Sequence, residues 1–222
     1  MSDTTMSQSD RLTLVLGTRN KKKGGELADL ISPPWEANPW LRRIEIRRLD
    51  EFDTAIDVVE DADTFAGNAR KKASETAIEV GHWTLADDSG LAVDALGGAP
   101  GVHSARYAGT HGDDAANNRK LLEALKGLPP EKRGAAFVCS LALADPRGAI
   151  RLETSGACRG RIVENLRGES GFGYDPLFMI LEYHKTFGEL SRMVKHQLSH
   201  RARAFAALRP LLARMIAADE LR

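Results

Sequence analysis

The chain has 222 residues, and its 31 Lys and Arg residues balance its 31 Asp and Glu residues, so the formal net charge is zero. This balance, with no long acidic or basic block, disfavours proteins that bind nucleic acids or membrane surfaces through charge. No apolar stretch approaches the length of a membrane span, and two cysteines are too few for a disulfide-rich secreted domain. We therefore expect a cytoplasmic protein with a well-buried core and neither a nucleic-acid nor a membrane partner.

The first part of the chain alternates predicted strands with predicted helices. Residues 1–10 are polar and predict a disordered N-terminal extension, which leaves 11–222 as a single domain. The predicted strands are Leu12–Leu16, Ile44–Leu49, Trp83–Ala86 and Leu91–Leu96. The predicted helices are Asn20–Ile31, which ends before Pro33 and Pro34, and an Ala-rich helix from the N-cap Thr64 to about Gly81.

The second part predicts a helix, a hairpin and a C-terminal helix. Asp113 or Asp114 begins a helix whose leucines 121, 122 and 125 share one face. Phe137–Ala144 and Ala149–Gly156 flank a turn sequence and predict a β-hairpin. The helix from about Ser199 contains Pro210, which must kink it or begin a new helix. Strands that interleave with helices indicate the α/β class, with a mixed twisted sheet and flanking helices.

Two adjacent carboxylates, Asp87 and Asp88, follow a short apolar run and precede Ser89 and Gly90. Adjacent carboxylates repel each other and are costly to bury, so a fold accepts them where a cation, usually a divalent metal, offsets their charge. Magnesium fits such a site, and a carboxylate beside it can activate water for attack on phosphorus. The alternative is a turn, since Asp-Ser-Gly is common in turns. The doubled carboxylate favours a functional site.

A second segment combines a strand end, a helix start and several cations. Backbone amides at the start of a helix, a hydroxyl and basic side chains form a phosphate-binding site. The alternative is a solvated helix start with surface lysines, and neither a P-loop nor a Rossmann fingerprint is present. The candidate substrate-binding residues in this segment are Thr18, Arg19, Asn20, Lys21, Lys22 and Lys23.

The helix after Thr64 carries a third group of polar residues. Asn68 and Lys72 are four residues apart and share a helix face, so an amide and a cation are able to reach phosphate together. Glu60 lies just upstream as a candidate metal ligand. A surface helix with ordinary charge pairing is the alternative and, for this segment alone, the stronger interpretation.

Two C-terminal segments complete the candidate site. Glycines in the run from Gly171 to Pro176 allow close approach to a ligand, while Phe172 or Tyr174 is able to stack on a base and Asp175 to accept hydrogen bonds. His200 and Arg201 are candidate donors to a base carbonyl, after Ser199 as a possible N-cap. A glycine-rich turn with packed aromatic rings and a capped helix with exposed charges are the alternatives.

In this order and spacing, the segments resemble the inosine triphosphate pyrophosphatase (ITPase) family, the dITP/XTP pyrophosphatases. The resemblance runs from about Leu12 to Leu212, and the stretches ADDSGLAVDALGGAPGVHSARYAG and GFGYDP are specific to that family. Arg19 departs from the pattern, because bacterial members often carry Gly there. The resemblance implies two lobes around a nucleotide-binding cleft, Mg²⁺ as cofactor and a homodimer.

The resemblance also implies roles for individual residues. Asp88 matches the proton acceptor and, with Glu60, the metal-binding acids, while Asp87 matches the acidic neighbour and Lys72 the helix lysine. Asp88, Asp87 and Lys72 are thus the candidate catalytic residues. The nucleotide-binding T-x-N-x-x-K pattern is matched by Thr18, Asn20 and Lys23. The substrate-contacting positions are matched by Ser89, Phe172, Gly173, Tyr174, Asp175, Lys195, His200 and Arg201.

The function that this resemblance implies is hydrolysis of deaminated purine nucleoside triphosphates (ITP, dITP and XTP) to the monophosphate and pyrophosphate. A water activated by magnesium or by Asp88 would attack the α-phosphorus, while Lys23, Lys72 and Lys195 offset the charge of the triphosphate. Two alternatives are a pyrophosphatase for other modified or pyrimidine nucleotides and a non-catalytic nucleotide sensor. The preference among the three substrates and the rejection of GTP are not readable from the sequence.

Overall fold

Seven strands form one mixed sheet in the structure, a computed structural model that describes residues 11–31, 39–53 and 57–221. The predicted extension 1–10 and the prolines 33 and 34 lie outside the described residues. The strands are β1 Leu12–Leu16, β2 Ile44–Arg48, β3 Trp83–Val93, β4 Gly134–Ala144, β5 Ile150–Ile162, β6 Phe178–Ile180 and β7 Lys185–Thr186. The helices are α1 Lys21–Ile31, α2 Phe65–Val80, α3 Asp114–Ala124, α4 Arg192–Leu198 and α5 His200–Ala217.

The strand order is β2-β1-β3-β4-β5-β6-β7, and β1 is parallel to both β2 and β3. The pairs β3–β4, β4–β5, β5–β6 and β6–β7 are antiparallel; β4 and β5 form the predicted hairpin, and β6 and β7 extend the sheet beyond β5. The hairpin turn is stabilised by the Asp145 carboxylate, which accepts the backbone N–H groups of Arg147 and Ala149 at 2.9 and 3.1 Å. The predicted α/β class with a mixed sheet and flanking helices is confirmed.

Helix α2 has the predicted ends. The Thr64 hydroxyl accepts the backbone N–H of Gly67 at 3.0 Å, and Gly81 ends the helix with a φ of 68°, a conformation that glycine adopts without strain. Helix α3 begins after Asp113, whose side chain likewise caps it. Helix α5 continues through Pro210, so Pro210 does not begin a new helix there.

One prediction near the acidic pair is wrong. The two short strands predicted around Asp87 and Asp88 are one continuous 11-residue strand, β3, and the acids lie in its middle. The long neighbour β4 pairs with β3 along nearly its whole length, with Asp87 opposite Leu141 and Asp88 opposite Ser140. This ladder of backbone hydrogen bonds outweighs the local turn preference of Asp-Ser-Gly. The strand ends at Val93, and the predicted strand residues 94–96 form a 3₁₀ turn.

The helices cover both faces of the sheet, and the sheet separates the core under α2 from the core under α5 and α1. On one face, small side chains of α2 such as Ala69 and Ala73 pack against Ala86 and Ala142. On the other face, Phe205 and Leu208 of α5 and residues of α1 pack against larger side chains of β1, β3 and β4. Successive residues of β3 point to opposite faces, so its two acids face different helices. Within the described residues, no helix is long and apolar enough to cross a membrane.

Candidate active site

The alternation of β3 separates the two adjacent carboxylates. Asp87 points to the face covered by α5, where its Oδ2 lies 3.3 Å from Nε of Arg201. Asp88 points to the face covered by α2, where its Oδ2 accepts a hydrogen bond of 3.0 Å from Asn68. Each acid therefore has its own hydrogen-bond partner because neighbouring side chains in a strand diverge, while the positive charges of Lys23 and Lys72 act on both.

Asp87 is buried and charged, and it pairs with Arg201. Burial alone would raise the pKa of Asp87, but the positive charges of Lys23, Arg201 and Lys72 hold it well below its usual range. Its Oδ2 also accepts the hydroxyl of Ser89 at 3.2 Å. A carboxylate with so low a pKa is a poor proton acceptor, so Asp87 is suited to hold Arg201 in place.

The pKa of Asp88 is shifted in the opposite direction. Burial raises the pKa of Asp88, Lys72 and Lys23 oppose that rise, and the negative charge of Glu60 adds to it, so the pKa stays above its usual value. Nζ of Lys72 lies 3.0 Å from Oε1 of Glu60 and 3.8 Å from Oδ1 of Asp88. A carboxylate with a raised pKa accepts a proton more readily, which suits Asp88 to proton transfer.

Asp88 lies in the wall of a cavity of about 330 Å³, which we call the larger cavity. A second cavity of about 100 Å³, the smaller cavity, adjoins it and shares some of its lining residues, including Lys23 and Ser89. The predicted site residues at the larger cavity are Thr18, Arg19, Asn20, Lys23, Glu60, Lys72, Asp88 and Ser89. Those at the smaller cavity are Asn20, Lys23, Ser89, Phe172, Gly173, Tyr174, Asp175, Lys195, His200 and Arg201.

The remaining predicted residues lie elsewhere. Asp87 and Asn68 line neither cavity and act through their hydrogen bonds to residues that do. The side chains of Lys21 and Lys22 lie outside the described residues. Most of the predicted cluster thus lies around two adjoining cavities, with Glu60, Lys72 and Asp88 at the larger one and the aromatic residues at the smaller one.

The segment before α1 is ordered by its own side chains. The Thr18 hydroxyl accepts the backbone N–H of Asn20 at 3.2 Å, and the Asn20 side chain accepts that of Lys23 at 3.1 Å. The Asn20 side chain thus receives a backbone N–H in the first turn of α1. The Arg19 side chain forms an ion pair of 2.8 Å with Asp57, which also lines the larger cavity.

The two aromatic residues of the glycine-rich segment have different roles. Tyr174 is buried, and its hydroxyl donates a hydrogen bond of 2.8 Å to the carbonyl oxygen of Ser104, so it anchors the wall of the smaller cavity. Phe172 is half-buried at the same cavity, with Nζ of Lys195 4.8 Å from the centre of its ring. Phe172 is therefore the better placed of the two for stacking on a base.

His200 and Arg201 begin helix α5, which Ser199 caps as predicted. The His200 ring stacks on Phe137 with centroids 4.9 Å apart, and burial, with the nearby charges of Arg201 and Lys195, lowers its pKa well below the usual value. His200 is therefore neutral, and among the described residues its Nδ1 has no hydrogen-bond partner. Arg201 donates 2.7 Å from Nη2 to the hydroxyl of Ser89.

The sequence interpretation missed Glu26, which joins two cations of the smaller cavity, Lys195 and Arg201. Its carboxylate lies 2.9 Å from Nζ of Lys195 and 2.8 Å from Nη1 of Arg201, while Lys195 also pairs with Asp175 at 2.7 Å. Burial would raise the pKa of Glu26, but Arg201 and Lys195 together lower it. The only sequence signal was an acid, one of two with Asp29, on the helix that begins with three lysines. Lys195, expected to offset the charge of the triphosphate, lies beside Phe172 at the smaller cavity.

The donor set at the larger cavity fits magnesium with few protein ligands. The described residues contain no cluster of three or more His, Cys, Asp or Glu side chains suited to a metal. Glu60 and Asp88 both approach Lys72 and both line the larger cavity. Two carboxylates on the wall of a roomy cavity match the way Mg²⁺ is held, with water and substrate phosphate as the other ligands.

Comparison of the sequence with known proteins shows the family to which the chain belongs. The sequence profile of the Ham1 family matches residues 14–211. The chain belongs to the Ham1 family. A protein of Rhodopirellula baltica named dITP/XTP pyrophosphatase is 57% identical over 203 residues, which cover 91% of this chain and 94% of that protein. The resemblance to the dITP/XTP pyrophosphatases that the motifs indicated is confirmed, since this relative carries that name.

Solved structures of the Ham1 family share the fold. A HAM1 protein from Coxiella burnetii has a TM-score of 0.79 at 36% identity and covers 91% of this chain and 99% of its own. The dITP/XTP pyrophosphatase from Mycobacterium abscessus has a TM-score of 0.71 at 41% identity, over 90% of this chain and all of its own. The mixed sheet and flanking helices of this chain are thus a Ham1 fold.

Proposed function

We propose that this Ham1-family chain hydrolyses ITP, dITP and XTP to the monophosphate and pyrophosphate and so removes deaminated purine nucleotides. The observation that carries the proposal is Asp88, a buried carboxylate with a raised pKa in the wall of a cavity that also presents Lys72 and Lys23. The smaller cavity beside it has the aromatic wall that a base needs. Relatives named dITP/XTP pyrophosphatase span more than nine-tenths of this chain.

Asp88 is the proton acceptor in this proposal. Its carboxylate takes a proton from the water that attacks the α-phosphorus, since its burial makes it more basic than an exposed Asp. The Asn68 amide and the backbone N–H of Ser89 hold the carboxylate in one orientation, at 3.0 and 2.9 Å. Asp87 supports the site from the opposite face of the strand through Arg201.

The phosphate end of the substrate lies in the larger cavity. Lys72 and Lys23 offset the charge of the phosphate chain, and Thr18 and Asn20 present the start of α1 to it. Glu60 and Asp88 would hold Mg²⁺, which when bound supplies further charge neutralisation for the phosphate oxygens.

The base end lies in the smaller cavity, with Phe172 as the stacking surface. A neutral His200 and the remaining N–H groups of Arg201 are the donors available to a carbonyl oxygen at purine C6. Adenine carries an amino group there, which would leave these buried donors unpaired and so weaken ATP binding.

We propose in addition that residues 11–222 form one domain with two lobes around this cleft, and that the protein acts as a homodimer in the cytoplasm. These statements rest on the resemblance to the family. Light scattering of the purified protein tests the dimer, and a mass of a single 24.2 kDa chain would contradict it.

The test of the activity is pyrophosphate release from a panel of ITP, dITP, XTP, GTP, ATP, dTTP and UTP, with Mg²⁺ and with a chelator. We expect release from the three deaminated nucleotides, dependent on the metal and well above release from ATP. A preference for dTTP or UTP would favour a pyrimidine pyrophosphatase instead. No release from any nucleotide, together with tight ITP binding, would favour a nucleotide sensor.

A further inference from the structure

Arg106 has no role in the site described so far, although it lines the larger cavity beside Glu60 and Lys72. It lies at the end of the short 3₁₀ helix Gly101–Arg106 that follows β3. We propose that Arg106 is a further substrate-binding residue, whose guanidinium binds the phosphate chain of the nucleoside triphosphate. This inference rests on the proposed function and adds a residue to it.

The cations at the larger cavity differ in their partners. Arg19 pairs with Asp57 at 2.8 Å, and Lys72 pairs with Glu60 at 3.0 Å. Across residues 11–31, 39–53 and 57–221, Arg106 and Lys23 form no ion pair with a carboxylate. A cation already bound to an acid exchanges one anion for another, whereas an unpaired cation at a cavity gains a partner when phosphate binds.

The guanidinium of Arg106 also has unfilled hydrogen-bond donors. Within the described residues it makes one hydrogen bond, 3.2 Å from Nη2 to the backbone oxygen of Glu60. A guanidinium has five N–H donors, so most of those of Arg106 remain for a ligand. The side chain is half-buried and lines the larger cavity, so these donors are available to a ligand there. Phosphate oxygens match the planar fork of arginine, which binds them two at a time.

The backbone that carries Arg106 is held tightly against β3. The Ser104 hydroxyl donates to the carbonyl oxygen of Gly101 at 2.6 Å and accepts the backbone N–H of Leu91 at 2.8 Å. A Cβ at Gly90 would lie 2.3 Å from that hydroxyl, so this close approach requires glycine. Arg106 is therefore presented to the larger cavity from a rigid segment, as a binding residue needs to be.

A different role for Arg106 is structural, since its hydrogen bond to Glu60 also holds that segment near Lys72. The two roles are distinguished by measuring the binding of a phosphate chain without metal and without a nucleobase. We therefore use inorganic tripolyphosphate in the presence of a chelator, with isothermal titration calorimetry as the readout. A role limited to holding Glu60 would alter the response to Mg²⁺ and leave this binding unchanged.

The variants are Arg106→Gln and, as a matched control with the same change of charge, Arg119→Gln. Arg119 is exposed on α3 and lines neither cavity. We expect Arg106→Gln to weaken tripolyphosphate binding about 10- to 100-fold, the usual effect of losing hydrogen bonds to a charged group. Arg106→Lys keeps the charge and should lose less. Equal affinity of the wild type and both glutamine variants would overturn the proposal.

A second measurement does not depend on the folding of a variant. An arginine-selective dicarbonyl reagent is applied to the wild-type protein with and without tripolyphosphate, and modification of each arginine is read by peptide mass spectrometry. We expect tripolyphosphate to slow modification of Arg106 and leave that of Arg119 unchanged; equal rates at Arg106 would refute the inference. Neither measurement involves hydrolysis, so a protein that binds tripolyphosphate through Arg106 but releases no pyrophosphate from ITP would refute the proposed function alone.

Discussion

Asp87→Asn should destabilise the protein and Asp88→Asn should leave its stability nearly unchanged, although the two residues are neighbours. Each change removes one charge and leaves the size of the side chain almost unchanged. The low pKa of Asp87 shows that its negative charge stabilises the fold, because Arg201 is buried beside it. The raised pKa of Asp88 shows that its charge opposes folding, so its removal is not costly.

The free energy of unfolding lost in Asp87→Asn depends on which partners Arg201 retains. Removing one partner of a buried ion pair costs about 3–5 kcal/mol, and we expect the lower end, about 3 kcal/mol, because Glu26 and Ser89 still contact Arg201. For a chain of this length, a loss of that size lowers the Tm by about 6–12 °C. Asp88→Asn should stay within about 1 kcal/mol of the wild type, since an asparagine oxygen still accepts from Asn68.

Thermal and urea unfolding followed by circular dichroism at pH 7 measure both variants. The pH dependence gives a further check: the folded pKa of Asp87 lies below its unfolded value of about 3.9, so its stabilisation is present above that pH and is lost as the pH falls further. The wild type should therefore lose its advantage over Asp87→Asn in acid. Equal Tm values for the two variants at pH 7 would contradict the separation of the acids onto two faces.

Three further predictions concern turnover and packing. Asp88→Asn should lower kcat for ITP by about 10²- to 10⁴-fold, the usual contribution of a general base; a kcat like that of the wild type would exclude this role. Gly156→Ala should cost about 1–3 kcal/mol in urea unfolding, because a Cβ there would lie 2.3 Å from the backbone nitrogen of Ala204 in α5; an unchanged midpoint would show that α5 moves freely. Glu26→Gln should raise KM for ITP and lower the Tm, since two buried cations then share one fewer carboxylate; the test is steady-state kinetics beside thermal unfolding, and an unchanged KM would show that Glu26 is structural alone.

The elements with strong local signals were predictable from the sequence. The N-cap Thr64 and the glycine after α2 mark both ends of that helix, and the turn at Asp145 marks the β4–β5 hairpin. These signals are local hydrogen bonds and backbone preferences, which act between residues close in the chain. The middle of β3 was not predictable in this way, because its Asp-Ser-Gly run favours a turn and only the pairing with β4 keeps it extended.

The identity of the candidate site residues was determined by the sequence, because their types and order carry the family resemblance without any knowledge of contacts. Their partnerships were decided by the tertiary structure alone. Asp87 and Asp88 are adjacent in sequence yet face different helices, and Glu26 meets Lys195 and Arg201 from 169 and 175 residues away. Charge partners depend on distance in space, which local sequence does not specify, and so the divergent pKa values of the two acids arise only when α2 and α5 pack on opposite faces of β3.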